Sequence, residues 1–128
     1  MERSTKQILY LAGGFKSGWQ LKAHELLPSF EMLDPSKHNI KVPKAYIEWD
    51  LEAISMCSIV LAYMEPTNPG GYGLALEIGY AKALGKNIIF VDEIEDIKIK
   101  HYFEMVRQVS DLVFPSLQAA IEYLNNIS

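Results

Sequence analysis

Short apolar segments alternate along the chain with longer segments in which apolar residues recur every three or four positions. The first pattern is typical of buried β-strands and the second of amphipathic α-helices. Strands are predicted at residues 7–12, 30–33, 58–63, 87–91 and 111–114, and helices from Ser17 to Leu27, at 45–57, within 71–85, at 102–109 and at 117–125. This alternation predicts a doubly wound parallel sheet with helices on both faces, which is a three-layer α/β/α fold.

The segment Gly71–Gly85 links two of these strands and carries an acidic residue at an unexpected position. At about 100° per residue, Glu77 projects on the same side of the helix as the apolar residues Leu74 and Ala81. Burial of a carboxylate is costly unless a neighbour holds or uses its charge, and we expect the helix N-terminus to help keep it ionised. Ligands bind beyond the carboxyl ends of strands in open α/β sheets, so Glu77 is the first candidate catalytic residue.

Asp50 shows the same feature in the preceding helix, where it shares a stripe with Ile47, Ile54 and Cys57. Two inward carboxylates on helices that flank one strand can meet across the end of that strand. Glycosyl transfer needs such a pair in differing environments, because one acid serves the sugar cation and the other handles the proton. For each carboxylate, the alternative is a structural role as a cap on a neighbouring loop amide.

Composition limits the possible functions. The 128 residues predict one globular domain, residues 1–128, and the net charge of −4 argues against sequence-independent binding of nucleic acid. The single Cys57 and the lack of a membrane-length apolar segment favour a cytoplasmic protein that neither spans nor binds a membrane. His24, His38 and His101 have no metal-ligand spacing with this cysteine and are expected at the surface, so no metal or other cofactor is predicted.

Candidate ligand contacts follow the first predicted strand. The adjacent Gly13 and Gly14 allow a ligand to approach the backbone closely. Phe15 and Trp19 can stack on a base, although packing between helix and sheet is an equal alternative for both rings. Tyr10 lies within the strand, on a face that it shares with core residues. These residues together indicate a site for a small molecule.

The loop at residues 65–72 is long for a connection between a strand and a helix, and long loops in compact domains are often functional. It offers Glu65, Asn68, Gly71 and Tyr72 as further candidates for binding a substrate. A rigid turn without a binding role is the alternative.

Three segments, Tyr10–Phe15 (YLAGGF), Glu48–Ile54 (EWDLEAI) and Gly73–Ala81 (GLALEIGYA), occur in this order and are followed by Gly85 and Lys86. Together they resemble the nucleoside 2-deoxyribosyltransferase family, whose superfamily also contains the 2′-deoxynucleoside 5′-monophosphate N-glycosidases. The resemblance extends over nearly the whole chain. It implies a flavodoxin-like five-stranded sheet and a symmetric homo-oligomer, a dimer or larger, in which a neighbouring subunit helps to close each site.

The resemblance also implies a role for three residues. Glu77 matches the nucleophile of the family, which attacks C1′ of the sugar and forms a covalent glycosyl-enzyme. Tyr10 matches the tyrosine that positions this glutamate, and Asp50 matches the aspartate that contacts the leaving base. The expected reaction is therefore cleavage or exchange of the N-glycosidic bond of (deoxy)nucleosides or their 5′-monophosphates.

The chain departs from the family just before Glu77. Many members carry an additional aspartate there, whereas residues 69–76 contain no acid, and Glu65 or Asn68 are the candidates to replace it. Without that aspartate, a non-catalytic module that binds a nucleotide derivative stays open as a second hypothesis. A signalling receiver of the same fold is excluded, because Gly13 and Gly14 stand where it needs an acidic pair.

Overall fold

The computed structural model describes residues 6–66 and 71–128. The strands are β1 (Ile8–Gly13), β2 (Glu31–Leu33), β3 (Ile59–Met64), β4 (Asn87–Asp92) and β5 (Leu112–Phe114). The helices are α1 (Trp19–Leu26), α2 (Pro43–Met56), α3 (Tyr72–Ala83), α4 (Ile97–Tyr102), α5 (Glu104–Val109) and α6 (Leu117–Ile127). All strand pairs are parallel, and the five strands form one sheet in the order β2-β1-β3-β4-β5.

Alternate side chains of the central strands form two separate cores, one on each face of the sheet. Leu9 and Leu11 of β1 pack with residues of α1 and α6, whereas Tyr10 and Ala12 pack with residues of α2, α3 and α5. Strand β3 is buried on both faces along its whole length, as is typical of a central strand in a parallel sheet. The predicted flavodoxin-like, doubly wound three-layer fold is therefore confirmed.

The order of the strands creates a switch point between β1 and β3. These strands are neighbours, paired from Leu9–Ile59 to Gly13–Tyr63, and the sheet grows outward from them in both directions. The chain leaves β1 toward α1 on one face and leaves β3 toward α3 on the other. The carboxyl ends of β1 and β3 therefore diverge, and this is the place where open α/β sheets bind ligands.

The segment before α2 is more ordered than its polar sequence predicts. Residues 36–43 are mostly polar and lack helical periodicity, yet they include most of a 3-10 turn at Pro35–Lys37, and α2 already begins at Pro43. Proline fits the first turn of a helix because the N–H group it lacks has no partner there. Asp34 is buried and caps the 3-10 turn, since its Oδ1 accepts a hydrogen bond of 2.9 Å from the backbone N–H of Ser36.

Two smaller differences from the predicted elements concern helix ends. Gly18, with a φ of 72°, is the N-cap of α1 in place of the predicted Ser17. The helix predicted at residues 102–109 consists of parts of two short helices, α4 and α5, which meet at Phe103. None of the helices in the described parts of the chain is long and apolar enough to cross a membrane.

Candidate active site

Two glycines shape a cavity of about 430 Å³ at the switch point. Gly13 and Gly71 both have positive φ angles, 151° and 103°. A Cβ atom on Gly13 would lie 2.7 Å from the carbonyl oxygen of Tyr63, and one on Gly71 would lie 2.7 Å from Cε of Met64. Neither position accepts a larger residue without a shift of its neighbours. Both glycines line the cavity, so the tight turns place backbone directly at its wall.

Helices α2 and α3 form the side walls of the cavity. Helix α2 contributes Tyr46, Ile47, Asp50 and Leu51, and α3 contributes Gly73, Leu74, Leu76 and Glu77. The structure thus brings together the two acids that helical periodicity placed on separate helices. Apart from these acids and Tyr46, the side chains of both walls are apolar, which weakens the solvation of any charge inside the cavity.

Glu77 is held from below by the sheet. Tyr10 of β1 is fully buried and donates a hydrogen bond from its hydroxyl to Oε2 of Glu77. Burial raises the pKa of Glu77 to about 7; the hydrogen bond from Tyr10 opposes this rise, and the charge of Asp50 adds to it. Burial and Glu77 together raise the pKa of Tyr10 far above its usual range, so the tyrosine stays protonated and acts as a donor. Glu77 therefore has both protonation states available near neutral pH, a property typical of catalytic acids.

The helix N-terminus does not keep Glu77 ionised, contrary to the expectation from sequence. Helix α3 begins at Tyr72, so Glu77 lies in its second turn. The electrostatic effect of a helix terminus falls off within the first turn. Burial is the largest influence on this carboxyl group, and it favours the neutral form.

Asp50 has a partner that the sequence did not indicate. Its Oδ1 lies 3.3 Å from Nε2 of His38, whose side chain is 13% exposed. Burial raises the pKa of Asp50, and the hydrogen bond and charge of His38 lower it again. The prediction that His38 is a surface residue is wrong, because the loop before α2 folds its ring against the helix. No periodic pattern marks the residues around His38, so the sequence carried no signal for this contact.

Trp19 does not line the cavity. It is buried in the core that faces α1 and α6, where its ring centroid lies 5.3 Å from that of Tyr63. Its Nε1 donates a hydrogen bond of 2.9 Å to the carbonyl oxygen of Gly14, and Nε2 of Gln20 donates another of 2.9 Å to the same atom. The structure favours the packing alternative for Trp19 over stacking on a base. These two side chains hold the Gly14 backbone, which does line the cavity.

Three other predicted contacts, Phe15, Glu65 and Tyr72, are not among the described lining residues of the cavity. Phe15 is exposed, and Glu65 uses Oε1 to accept a hydrogen bond of 3.0 Å from the hydroxyl of Ser17. Tyr72 is 85% exposed at the start of α3 and borders a different groove. Asn68 lies outside the described residues. Binding roles for these residues stay predictions.

Other reactive groups give no second site of this kind. Cys57 is buried, donates its thiol hydrogen to the carbonyl oxygen of Ile54 at 3.1 Å, and has a pKa that burial raises. A thiol with these properties is a core residue, because only the thiolate is strongly nucleophilic. Within residues 6–66 and 71–128, no three His, Cys, Asp or Glu side chains are grouped so that they could hold a metal ion.

A comparison with protein families identifies a model that covers nearly the first three quarters of the chain. The family model described as "Nucleoside 2-deoxyribosyltransferase like" matches residues 6–94, which is well over half of the chain and includes Tyr10, Asp50 and Glu77. None of the curated proteins searched matches the chain significantly.

Solved structures with the same fold include three enzymes. The 2-deoxyribosyltransferase from Bacillus psychrosaccharolyticus is 20% identical, with 91% of each chain covered and a TM-score of 0.75. The CMP N-glycosidase BcmB from Clostridium botulinum is 22% identical, with 94% of this chain and 99% of that chain covered and a TM-score of 0.62. The 2-deoxyribosyltransferase from Leishmania mexicana is 21% identical, with 91% of this chain and 95% of that chain covered and a TM-score of 0.66. At these identities the likeness concerns the fold.

Proposed function

Because the chain belongs to the nucleoside 2-deoxyribosyltransferase-like family, we propose that it cleaves or exchanges the N-glycosidic bond of nucleosides or their 5′-monophosphates. The observation that carries this proposal is Glu77, held by Tyr10 in a cavity that it shares with Asp50. The similar solved structures include two 2-deoxyribosyltransferases and one CMP N-glycosidase, and both activities break a bond between a sugar and a base. The partner of this chain is therefore a small molecule, and a cytoplasmic location belongs to the same proposal.

In the proposed first step, an ionised oxygen of Glu77 attacks C1′ of the sugar. A bond forms between this oxygen and C1′ while the bond from C1′ to the base nitrogen breaks, and the electron pair of that bond leaves with the base. Asp50 contacts the base, which takes up a proton from solvent water as it departs. Tyr10 keeps Glu77 in place by its hydrogen bond to Oε2.

In the second step, water or another base attacks C1′ of the glycosyl-enzyme. The bond between C1′ and the Glu77 oxygen breaks, the carboxylate is restored, and the attacking group loses a proton. Attack by water gives hydrolysis, and attack by a base gives transfer. Two successive displacements at C1′ return the original configuration of the sugar.

The surroundings of Glu77 suit this reaction. A carboxylate in a mainly apolar cavity is poorly solvated, so it gains more from the positive charge that develops on the sugar than an exposed carboxylate does. The pKa of about 7 means that a substantial fraction of Glu77 is ionised at neutral pH. The same burial makes the ionised form of Glu77 costly in free energy. A module that only binds nucleotide derivatives has no need of such a carboxylate, so this alternative is disfavoured.

The test is release of free base. The purified protein is incubated with deoxyribo- and ribonucleosides and their 5′-monophosphates, with and without a second free base, and the products are separated by chromatography. We expect release from some members of the panel, and loss of that release in Glu77→Gln. Glu93→Gln is the matched control, because Glu93 also accepts a hydrogen bond from a tyrosine, Tyr63, but on the other face of the sheet.

The same panel decides between the alternatives. A requirement for the second base identifies a transferase, and release in its absence identifies a hydrolase. If no compound loses its base but one of them raises the melting temperature, the binding module replaces the enzyme as the better explanation. In that case Glu77→Gln would alter affinity only.

We also propose that two copies of this chain associate through the apolar face formed by α3, α4 and α5. This face contains a groove of about 690 Å³, and beside it Tyr102 and Met105 are exposed on α4 and α5. Large exposed apolar patches are typical of interfaces between proteins. The groove adjoins the cavity across α3, since Tyr72 and Ala75 border the groove and Leu74 and Leu76 line the cavity. A second copy seated here would lie next to the site.

Light scattering coupled to size-exclusion chromatography tests this association. We expect the wild-type chain to elute as a dimer or a larger oligomer, and Met105→Glu to shift it toward the monomer. Leu21→Glu is the control, because Leu21 is an equally apolar exposed residue on α1. A monomeric wild-type chain would contradict the proposal.

A further inference from the structure

We propose that His38 is a positioning residue for Asp50. His38 donates a hydrogen bond to the Asp50 carboxylate and so holds this group charged and directed at the leaving base. This inference rests on the function proposed for the cavity. His38 touches neither Glu77 nor Tyr10 among the described hydrogen bonds, and it acts through Asp50 alone. The two atoms concerned are Nε2 of His38 and Oδ1 of Asp50, which lie 3.3 Å apart.

The direction of this hydrogen bond follows from the second ring nitrogen. The backbone N–H of Ile40 donates to Nδ1 of His38 at 3.1 Å, so Nδ1 is an acceptor and carries no proton. The proton of a neutral imidazole is then on Nε2, which faces Asp50. An N–H donor favours the charged form of the carboxylate that accepts it. The 3.3 Å separation is at the long end of the range for an N–H···O hydrogen bond.

The ring of His38 is fixed in this orientation. It meets Trp49 of α2 edge to face, with 4.7 Å between the ring centroids and 65° between the planes. The side chains of His38 and Asp50 are 13% and 19% exposed, so little water competes for the contact between them. A hydrogen bond with limited access to water is stronger than one at the surface. Three neighbours, Ile40, Trp49 and Asp50, therefore define one position of the imidazole.

The backbone on both sides of His38 is held as well. Before it, the carboxylate of the buried Asp34 accepts hydrogen bonds of 2.9 and 2.6 Å from the backbone N–H and the hydroxyl of Ser36. After it, Asn39 adopts a left-handed conformation with a φ of 56°, which asparagine tolerates better than most residues. This turn brings the N–H of Ile40 back to the ring. These contacts in the loop therefore place the side chain of His38 next to Asp50.

Among the described hydrogen bonds, His38 is the partner of the Asp50 carboxylate, and the neighbouring ionisable groups make no such contact. Glu77 of α3 is itself an acid, and the hydroxyl of Tyr10 on β1 is committed to Glu77. Tyr46 lines the cavity one turn earlier on α2. Two acids in one apolar cavity disfavour each other's charged forms. A donor such as His38 allows Asp50 to stay charged beside Glu77.

The first test measures Asp50 directly and does not depend on activity. The side-chain carboxyl of Asp50 is titrated by ¹³C NMR in the wild-type chain, in His38→Phe and in His38→Gln. Phenylalanine keeps a ring against Trp49 but donates no hydrogen bond, whereas the amide of glutamine can donate to Asp50 without titrating. We expect the pKa of Asp50 to rise in His38→Phe and to rise less in His38→Gln, because glutamine keeps a donor but lacks the charge that also lowers this pKa. An unchanged pKa in folded His38→Phe would overturn the proposal.

The second test measures base release. Loss of one hydrogen bond to a charged group predicts a decrease in kcat/KM of roughly 10- to 100-fold in His38→Phe, with most of the rate restored in His38→Gln. In the Asp50→Asn background, His38→Phe should cause no further loss, because the two residues act as one unit. Equal losses in the phenylalanine and glutamine variants, or an undiminished loss in the Asp50→Asn background, would reduce His38 to a structural residue. If the wild-type chain releases no base, the function proposed for the cavity fails, and the NMR titration still decides whether His38 controls Asp50.

Discussion

Two tyrosine–glutamate pairs lie on opposite faces of the same sheet. Tyr10 of β1 donates its hydroxyl hydrogen to Glu77 of α3, and Tyr63 of β3 donates to Oε1 of Glu93 at 2.9 Å. The donor and acceptor groups are the same in both pairs, and each pair ties a central strand to an element beside it. The surroundings of the carboxyl group differ, and this difference separates a candidate catalytic residue from a structural one.

The second carboxylate oxygen of Glu93 accepts a hydrogen bond from the backbone. Its Oε2 accepts a hydrogen bond of 2.8 Å from the N–H of Leu117, the first residue of α6. A helix N-terminus stabilises a negative charge, so this carboxylate joins β3, β4 and α6. Glu77 instead faces Asp50 in an apolar cavity, and burial raises its pKa to about 7. The second neighbour of the glutamate, besides the tyrosine, therefore distinguishes the two roles. A backbone N–H suits a carboxylate that stabilises the fold, and an apolar cavity with a second acid suits one that is available for chemistry.

Replacement of each glutamate by glutamine should give the largest difference between the two pairs. We expect Glu77→Gln to lower kcat/KM by about 10³-fold or more, as is usual when a nucleophile is removed. Glu93→Gln should leave kcat/KM within about threefold of wild type and lower the melting temperature, because it removes a charge next to a helix N-terminus. Steady-state assays and thermal melts of both variants measure these effects. Similar activity losses in both would mean that Glu77 contributes only to folding.

The pH dependence of the reaction should report the environment of Glu77. A nucleophile with a pKa of about 7 is protonated and inactive at low pH, so kcat/KM should rise with pH and level off above neutrality. Below the pKa the rise is about tenfold per pH unit. Asp50→Asn removes a charge that raises this pKa and should move the acid limb to lower pH. An acid limb near pH 4.5, the ordinary value for glutamate, would contradict the assigned environment.

Removal of each tyrosine hydroxyl sharpens the contrast further. Tyr10→Phe removes a hydrogen bond to the proposed nucleophile and should lower kcat/KM by roughly 10- to 100-fold. The same change should shift the acid limb to higher pH, because the hydroxyl of Tyr10 lowers the pKa of Glu77. Tyr63→Phe should change stability by about 1 kcal/mol and leave kcat/KM within a factor of about two. Comparable pH–rate profiles for the wild type and Tyr10→Phe would argue against a positioning role for Tyr10.

The last expected effect concerns stability and not activity. The pKa of Glu77 is raised in the folded chain from 4.5 to about 7, so folding becomes less favourable as pH rises through this interval and stays so above it. Glu77→Gln removes the group that must be ionised in a buried position. It should therefore stabilise the chain by about 3 kcal/mol at pH 8 and have little effect at pH 4.5. Urea unfolding at both pH values measures the difference, and equal effects at the two would refute the linkage.

Helical periodicity allowed both acids of the site to be predicted. Glu77 and Asp50 each interrupt an apolar stripe, and such a stripe faces the sheet whichever tertiary contacts form. The periodicity gave no information on depth along a helix, so the effect of the helix N-terminus on Glu77 was overestimated. Trp19 follows the glycine turn after β1, a position that suggested contact with a ligand. Helix α1 instead places Trp19 in the core on the other face of the sheet from the cavity. His38 lies in a polar segment without periodicity, and its contact with Asp50 depends on a turn at Asn39 that is specific to the folded chain.

The alternation of strands and helices, the three-layer architecture and the two helices that carry the acids could all be predicted from the amino-acid sequence. These properties follow from local periodicity and from burial, which act within one segment at a time. The neighbours of each carboxyl group depend on the folded chain: Tyr10 contacts Glu77, His38 contacts Asp50, and the N-terminus of α6 contacts Glu93. The physical reason is that the pKa and reactivity of a carboxyl group depend on atoms within a few ångströms, and residues far apart in the chain supply those atoms.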